Sequence, residues 1–358
     1  MSDLAQQKLS SSRISWIDNL RAFGILSIVL VHTGRLDSGL DLYAASFFMP
    51  LFFLISGFFV KESIRQEKFI EFVKIKAQRL LIPYLSFGIF SYIMWFFIIG
   101  KIKKDALPIN PIVHFLTNII YGVGGWGWLD FNITLWFFPC LFVTELLFFF
   151  LIRLPSRKSL GVALFSLSVI GYFFFKVVDI QKFRLPFGID IALTAVVFYG
   201  LGYLVKPYVL NDSFKVWYQW PLLLLGTLAY IVFSNLNQQS AFIIGNFGNN
   251  YFFFYLAALS GILFWAQISR LIKPNKLLTE IGKNTLVIFP LHLLLFPFFT
   301  GVLVYVFKVP KSSLEHSNIV ALAYTILSAL ILIPIAWGLN RYVPFLLGYN
   351  RQKKSINQ

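Results

Sequence analysis

The sequence predicts an all-α fold: a polytopic transmembrane helix bundle of about ten spans, with both termini cytoplasmic. Apolar residues make up 58% of the 358 positions and charged residues only 13%, with 42 phenylalanines. That balance suits a bilayer and is more than a soluble core needs. The apolar stretches are continuous runs rich in Leu, Ile and Phe, not the short alternating segments of a membrane barrel. Of the 31 Lys and Arg, 21 fall on the alternate connections that include both termini and 9 on the opposite set. Excess positive charge marks the cytoplasmic side.

The elements follow in order. Residues 1–13 form a short polar cytoplasmic tail, and the apolar run after it is full length with no small-residue cleavage site, so it is not a cleaved signal. The first span is 14–35 and the second 43–60, the latter closing on Phe52–Phe59 with Ser56 and Gly57, where glycine permits close helix approach. Phe69, Phe72, Val73 and Lys76 recur at helical spacing in the connection 61–79, predicting an amphipathic helix along the inner surface that leads into a third span, 80–100, through Pro83. The longest connection, 101–132, lies outside. Pro108, Pro111 and the Gly/Trp-rich run 121–128 suggest a re-entrant or interfacial segment. Seven more spans are expected at 133–152, 159–178, 189–206, 217–235, 249–269, 284–307 and 318–340. A basic cytoplasmic tail, 341–358, ends the chain. The membrane domain is therefore 14–340.

The formal net charge of +16 is explained by inner loops facing anionic headgroups. Nucleic-acid binding needs a basic face on a soluble domain, and no segment is long enough for one. Cys140 is the only cysteine, so neither a disulfide nor a thiolate metal cluster forms. The four histidines sit on separate elements without ligand spacing, and no metal site is expected. No phosphate-cradling glycine loop is present.

The most informative residues lie in the first span, which is apolar yet carries Asp18, Arg21 and His32. At 100° per residue, the eleven-residue step from Arg21 to His32 returns to within roughly 20° of the same face, about 16 Å further along. Ionisable groups at membrane depth cost several kcal/mol and line cavities or reaction paths. An imidazole near neutrality is suited to take a proton from an alcohol. Arg21 cannot shed its charge and needs anionic company, either Asp18 one turn before it or a phosphate-bearing ligand. The separation suits one long ligand held at its charged end by Arg21 and reacting near His32.

Other positions join these two. Lys76 and Arg79, one turn apart at the inner mouth of the third span, make a second phosphate-binding pair, with a positive-inside anchor as the alternative. Glu145 is an intramembrane carboxylate, marking either a functional site or a partner for Arg21. Asp190, opening the sixth span on the outer side, is placed to orient the His32 ring unless it is merely solvated. His292 either binds substrate or bridges helices. Trp126 and Trp128 either belong to an aromatic belt or stack on a sugar.

Several segments together resemble one family. Asp18-Asn-Leu-Arg21 with His32 eleven residues after the arginine, Phe52-Phe-Leu-Ile-Ser-Gly57, and Lys76-Ala-Gln-Arg79 before Pro83 resemble the motifs of integral-membrane acyltransferases of the acyltransferase-3 family, which includes O-acetylases of bacterial surface polysaccharides. The inner motif has Lys at 76 where the family has Arg, an exchange that keeps charge and loses bidentate geometry. Leu135-Trp-Phe-Phe-Pro139, Phe187–Leu193 with Phe198–Tyr203, and Gly282–His292 resemble the fucose 4-O-acetylase-like subgroup. The resemblance implies acetyl-CoA, or another acyl-CoA, as cytoplasmic donor, a sugar or polysaccharide hydroxyl as acceptor, and a place in the bacterial inner membrane. Together with the residues singled out above, it makes His32, Asp190 and Glu145 the catalytic candidates. Arg21, Lys76, Arg79, Asp18 and Ser56 fall on the donor side, and His292, Trp126, Trp128 and Trp136 on the acceptor side. Some relatives carry a fused extracytoplasmic hydrolase-like domain, and this sequence reaches Gln358 without one, so the spans are expected to act unaided or with a separate partner. The rival expectation is a polysaccharide exporter or flippase without acyl-transfer chemistry. A third is an unrelated membrane O-acyltransferase acting on lipids or proteins, which shares donor and chemistry but not these motifs.

Overall fold

A computed structural model describes residues 14–36, 38–103, 108–210, 216–273 and 275–349. The tail 1–13 and residues 350–358 of the expected C-terminal tail lie outside the described residues. Among the described residues the chain is built of helices, with only isolated bridges at Gly125–Trp128 and Ala241–Asn246. In hydrocarbon every backbone N–H and C=O must be satisfied internally, and a helix does this within one segment.

The helices are α1 Ser15–His32, α2 Ser38–Phe58, α3 Phe69–Met94, α4 Pro111–Tyr121, α5 Phe137–Leu151, α6 Arg157–Val177, α7 Ile189–Leu210, α8 Val216–Asn237, α9 Tyr251–Leu271, α10 Lys276–Lys283, α11 Thr285–Gly301 and α12 Asn318–Tyr342. Side chains cap many of the starts: Asn110, Ser156, Asn250, Asn275 and Ser317 each accept from a backbone N–H in the first turn of α4, α6, α9, α10 and α12, satisfying donors that the helix itself cannot.

Nine of the described helices are long and apolar enough to cross a membrane, and together with α1 they match the ten expected spans. The polar residues of α1 set it apart from those nine. It is an 18-residue helix packed against α2, α9, α10, α11 and α12. That central position shields Asp18 and Asn19, which are 3% and 1% exposed, from lipid tails.

The third span differs from the expected surface helix followed by a span. Only a short 3₁₀ turn, Glu62–Gln66, precedes α3, which then runs unbroken from Phe69 through Pro83. The reason is a partner for the amphipathic face. Phe69 and Phe72 meet Phe149 of α5 at 5.2 and 4.7 Å between ring centroids, and Phe72, 3% exposed, is covered by protein while Phe69 is only partly so. Arg153 at the end of α5 donates to the carbonyls of Ile64 and Glu67, both at 2.8 Å, and ties the 3₁₀ turn down.

Two glycines bring α2 and α7 into backbone contact. A Cβ at Gly57 would overlap the Tyr199 carbonyl, and one at Gly202 would overlap the Leu54 carbonyl. Gly57→Ala is expected to force these helices apart at a cost of about 1–3 kcal/mol or more. A thermal unfolding midpoint for the purified Gly57→Ala protein equal to the parent's would contradict this packing.

Candidate functional site

The site is organised along α1. At one end is a cavity of about 340 Å³ whose walls include Arg21, Ile25, Ser56, Arg79, Lys283 and Phe289. Arg21 and Ile25 come from α1, one turn apart, and Ser56 from α2. Arg79 comes from α3, Lys283 from α10 and Phe289 from α11. Leu347 and Tyr349 complete the wall, so the start of α1 and the described C-terminal end meet here. A 3₁₀ turn, Pro344–Leu347, brings the chain back, and Gly348, at φ +73°, lies against the backbone of Gln78 and Arg79 where a Cβ would collide. The first residues of the expected C-terminal tail are therefore part of the cavity wall.

Three cations surround this cavity. Arg21 lies 3.9 Å from Asp18, with its side chain 30% exposed, and its guanidinium sits 4.8 Å over the Phe59 ring. A Cβ at Gly282 would meet the Asp18 carbonyl, so this glycine lets α10 seat on α1 and carry Lys283 to the rim. Lys283 also pairs with Glu280 at 3.0 Å. Ser56 lines the same cavity, with its hydroxyl donating to the Phe52 carbonyl at 2.8 Å.

Lys76, expected beside Arg79, does not line the cavity. Its ammonium lies 2.9 Å from Glu145 Oε1, with the two side chains 17% and 8% exposed, and Tyr199 donates to the same oxygen at 3.3 Å. Glu145 therefore pairs with Lys76 and not with Arg21. A carboxylate buried between α3 and α5 needs a counter-ion, and Lys76 faces α5 while Arg79 faces the cavity. Lys283, which the sequence did not single out although it lies in the segment Gly282–His292, is the third cation lining the cavity.

At the other end of α1, His32 Nδ1 and His292 Nε2 are 2.9 Å apart, with rings nearly parallel at 8°. His292 is fully buried, whereas His32 is partly exposed. His292 Nδ1 lies 3.1 Å from the Ile288 carbonyl, one turn earlier on α11. Beyond the pair, Arg35 donates to the Leu314 carbonyl and, at 3.1 Å, to Thr300, fastening the end of α1 to α11 and to the segment before α12.

The partner of His32 is thus His292. Asp190 is engaged elsewhere: Arg184 Nε lies 2.5 Å from its Oδ2, and the two side chains are 2% and 0% exposed. Arg184 also donates to the carbonyls of Gly124 and Ile243, each at 3.2 Å. This ion pair joins three outer connections and accounts for both charges. The sequence reading had counted Arg184 only as one outer cation.

Between cavity and histidines stands a cluster of rings. Phe289 lines the cavity and lies 6.4 Å from His292. Phe137 lies 5.4 Å from Phe289 and 6.3 Å from Phe52. His32 and His292 do not line the cavity, and Phe289 is the ring that touches both, on the cavity wall and 6.4 Å from His292.

The connection between α4 and α5 does enter the bundle. Asn132 donates to the Pro290 carbonyl at 2.6 Å and to Ser91 at 2.9 Å, reaching α11 two residues before His292. The tryptophans fare differently. Trp126 is 49% exposed at φ +53°. Trp128 stacks on Tyr121 at 4.4 Å. Trp136 is only 5% exposed and packs near Phe242 at 6.4 Å. It ends the 3₁₀ turn Ile133–Trp136 just before α5, with its Cβ close to where a Cβ on Gly124 would lie, and as a buried core ring it offers no face for a sugar to stack on.

No group of three metal-ligating side chains is found among the described residues. No curated protein and no solved structure matches the chain. The family model described as an acyltransferase domain matches residues 14–341. The chain is a multi-pass membrane protein that belongs to the acyltransferase-3 family.

Proposed function

We propose that this membrane acyltransferase is an O-acetyltransferase of a bacterial inner membrane, taking its acyl group from cytoplasmic acetyl-CoA and delivering it to a hydroxyl of a cell-surface or lipid-linked sugar. The observation that carries the reading is a single helix with a three-cation cavity at one end and an imidazole pair at the other. The Lys/Arg bias of the connections supports a cytoplasmic position for the cavity end. Arg21, Arg79 and Lys283 suit the phosphates of a nucleotide-linked thioester. Phe52, Phe137 and Phe289 then have to turn aside for the acyl arm to reach the histidines, and they exclude water from the thioester otherwise.

The donor supplies an activated carbonyl with a thiolate leaving group. His32 accepts the proton of the acceptor hydroxyl as the oxygen attacks that carbonyl. The carbon–sulfur bond breaks, and the proton held on His32 passes to the departing thiolate. Transfer through an acyl-imidazole on His32 is the second route to the same product. A fucose 4-O-acetylase-like acceptor preference is the subgroup reading. An exporter without chemistry requires no imidazole pair beside such a cavity.

Coenzyme A release from acetyl-CoA by purified protein, with the deacetylated surface glycan of the producing cells as acceptor, tests the reading directly. No acceptor-dependent release would refute it. Arg21→Ala removes one charge-assisted phosphate contact, worth about 1.5–3 kcal/mol. It is expected to raise the KM for acetyl-CoA roughly ten- to hundredfold. An unchanged KM would remove Arg21 from the donor site.

A further inference from the structure

We infer that His292 is a positioning residue: it holds His32 as the tautomer protonated on Nδ1, leaving Nε2 as the basic nitrogen. The inference rests on reading His32 as the base of acyl transfer. Its evidence is separate, lying in the order of donors and acceptors along three groups.

A backbone carbonyl can only accept. His292 Nδ1 lies 3.1 Å from the Ile288 carbonyl oxygen, so that nitrogen carries the hydrogen. A neutral imidazole has one N–H, and His292 Nε2 is therefore a lone pair that can only accept. That lone pair lies 2.9 Å from His32 Nδ1, which must be the donor. His32 then has its own lone pair on Nε2, the nitrogen that does not face His292.

A doubly protonated His292 would invert this order, but it would be a fully buried cation beside Phe289 and Phe296, at 6.4 and 5.8 Å. Asp190 and Glu145 are committed elsewhere, to Arg184 and Lys76, and Asp18 lies beside Arg21. With no acid among the described residues to hold a second proton, the neutral ring is the one that fits.

The arrangement fills the third place of a nucleophile–base–orienter set with an imidazole where a carboxylate commonly stands. Orientation needs an acceptor fixed in space. His292 is fixed by its bond one turn back along α11, by the flanking phenylalanines, and by the near-parallel ring of His32 at 5.1 Å between centroids. When His32 gains a proton on Nε2, the Nδ1–H bond to His292 strengthens, and the positive charge is shared along the line that ends at the Ile288 carbonyl. The sequence alone left His292 between substrate binding and helix bridging. Its distance from His32, 260 positions along the chain, is closed only by the packing of α11 on α1.

Nitrogen NMR of the full-length, detergent-purified protein labelled with 15N-histidine reads the tautomer without reference to turnover. The His32 signals, assigned by their loss in His32→Gln, should show a protonated Nδ1 and a lone-pair Nε2 at neutral pH. In His292→Leu, which keeps bulk but removes the acceptor, His32 should become a mixture of tautomers. In turnover with acetyl-CoA and the same glycan acceptor, His292→Leu should lower kcat by about 10- to 100-fold, a share of what a well-placed base contributes, with KM for acetyl-CoA within about twofold. His292→Gln puts an amide oxygen within reach of the Nε2 position and should recover much of the loss.

A His32 ring protonated on Nε2 in the parent protein would overturn the inference. So would a parental kcat in His292→Leu, or a lost kcat with the His32 tautomer unchanged. Should His32→Gln still transfer acetyl groups at the parental rate, the base assignment would fall while the tautomer measurement stood, so the two failures are distinguishable.

Discussion

Purified His32→Ala protein is expected to release coenzyme A in the presence of acceptor at no more than about one part in 10² to 10⁴ of the parental rate, the range contributed by a positioned general base. The expectation follows from position. His32 is the one member of the imidazole pair that is partly exposed, and its ring is held on its far side by His292. Removal leaves His292 Nε2 without its donor, a cost to stability of about 1–3 kcal/mol, small enough for the helices to remain assembled. Size-exclusion behaviour and the thermal midpoint, compared with the parent, separate a chemical defect from a folding defect. If the route passes through an acyl-imidazole, radiolabelled acetyl-CoA without acceptor should label the parent and leave His32→Ala unlabelled. A folded His32→Ala protein that turns over near the parental rate would exclude His32 as base and as nucleophile.

Asp190→Ala is expected to have the largest effect on stability. It strands the Arg184 guanidinium, which is 2% exposed and has Asp190 as its ion-pair partner. Breaking a buried pair from one side costs about 3–5 kcal/mol, because the remaining charge is uncompensated. The loss should appear as a large fall in thermal midpoint or as failure to accumulate in membranes. Replacing both residues, Arg184→Met with Asp190→Leu, should recover part of that stability. The recovery stays partial because the carbonyls of Gly124 and Ile243 lose their donor. A catalytic orienting role for Asp190 predicts the opposite pattern. An Asp190→Ala protein with a parental thermal midpoint and lost activity would establish that role and sink the structural one.

How far the site was legible in the sequence depends on where each partner lies. Arg21 and His32 share one helix, and their common face follows from helical geometry alone. In the structure Arg21 lines the cavity and His32 meets His292. Lys76 and Arg79 were placed together on the same logic, yet three residues along a helix turn the side chain by about 60° from alignment, and the packing of α5 sends Lys76 to Glu145 while Arg79 reaches the cavity. Asp190 was placed near His32 by depth in the membrane, a coordinate common to every helix at that level. Arg184, six residues upstream, reaches it first. Trp136 came to the acceptor side through the segment Leu135–Pro139 that resembles the family, but the structure buries it to 5% exposure among core rings.

By itself the sequence determined that the chain is a bundle of membrane-spanning helices, roughly where each begins and ends, and that the first span carries an arginine and a histidine along one side. These are properties of a single segment and its solvent. A run of apolar residues has one way to satisfy its backbone in hydrocarbon, and helical spacing repeats whatever the neighbours are. Only the tertiary structure decided that His292 and not Asp190 meets His32, that Lys283 and not Lys76 lines the cavity, and that Phe289 lies between the cavity and His292. Those pairings join residues far apart in the chain, and they depend on which faces the helices turn toward one another, fixed by close contacts such as Gly57 on Tyr199 and Gly282 on Asp18.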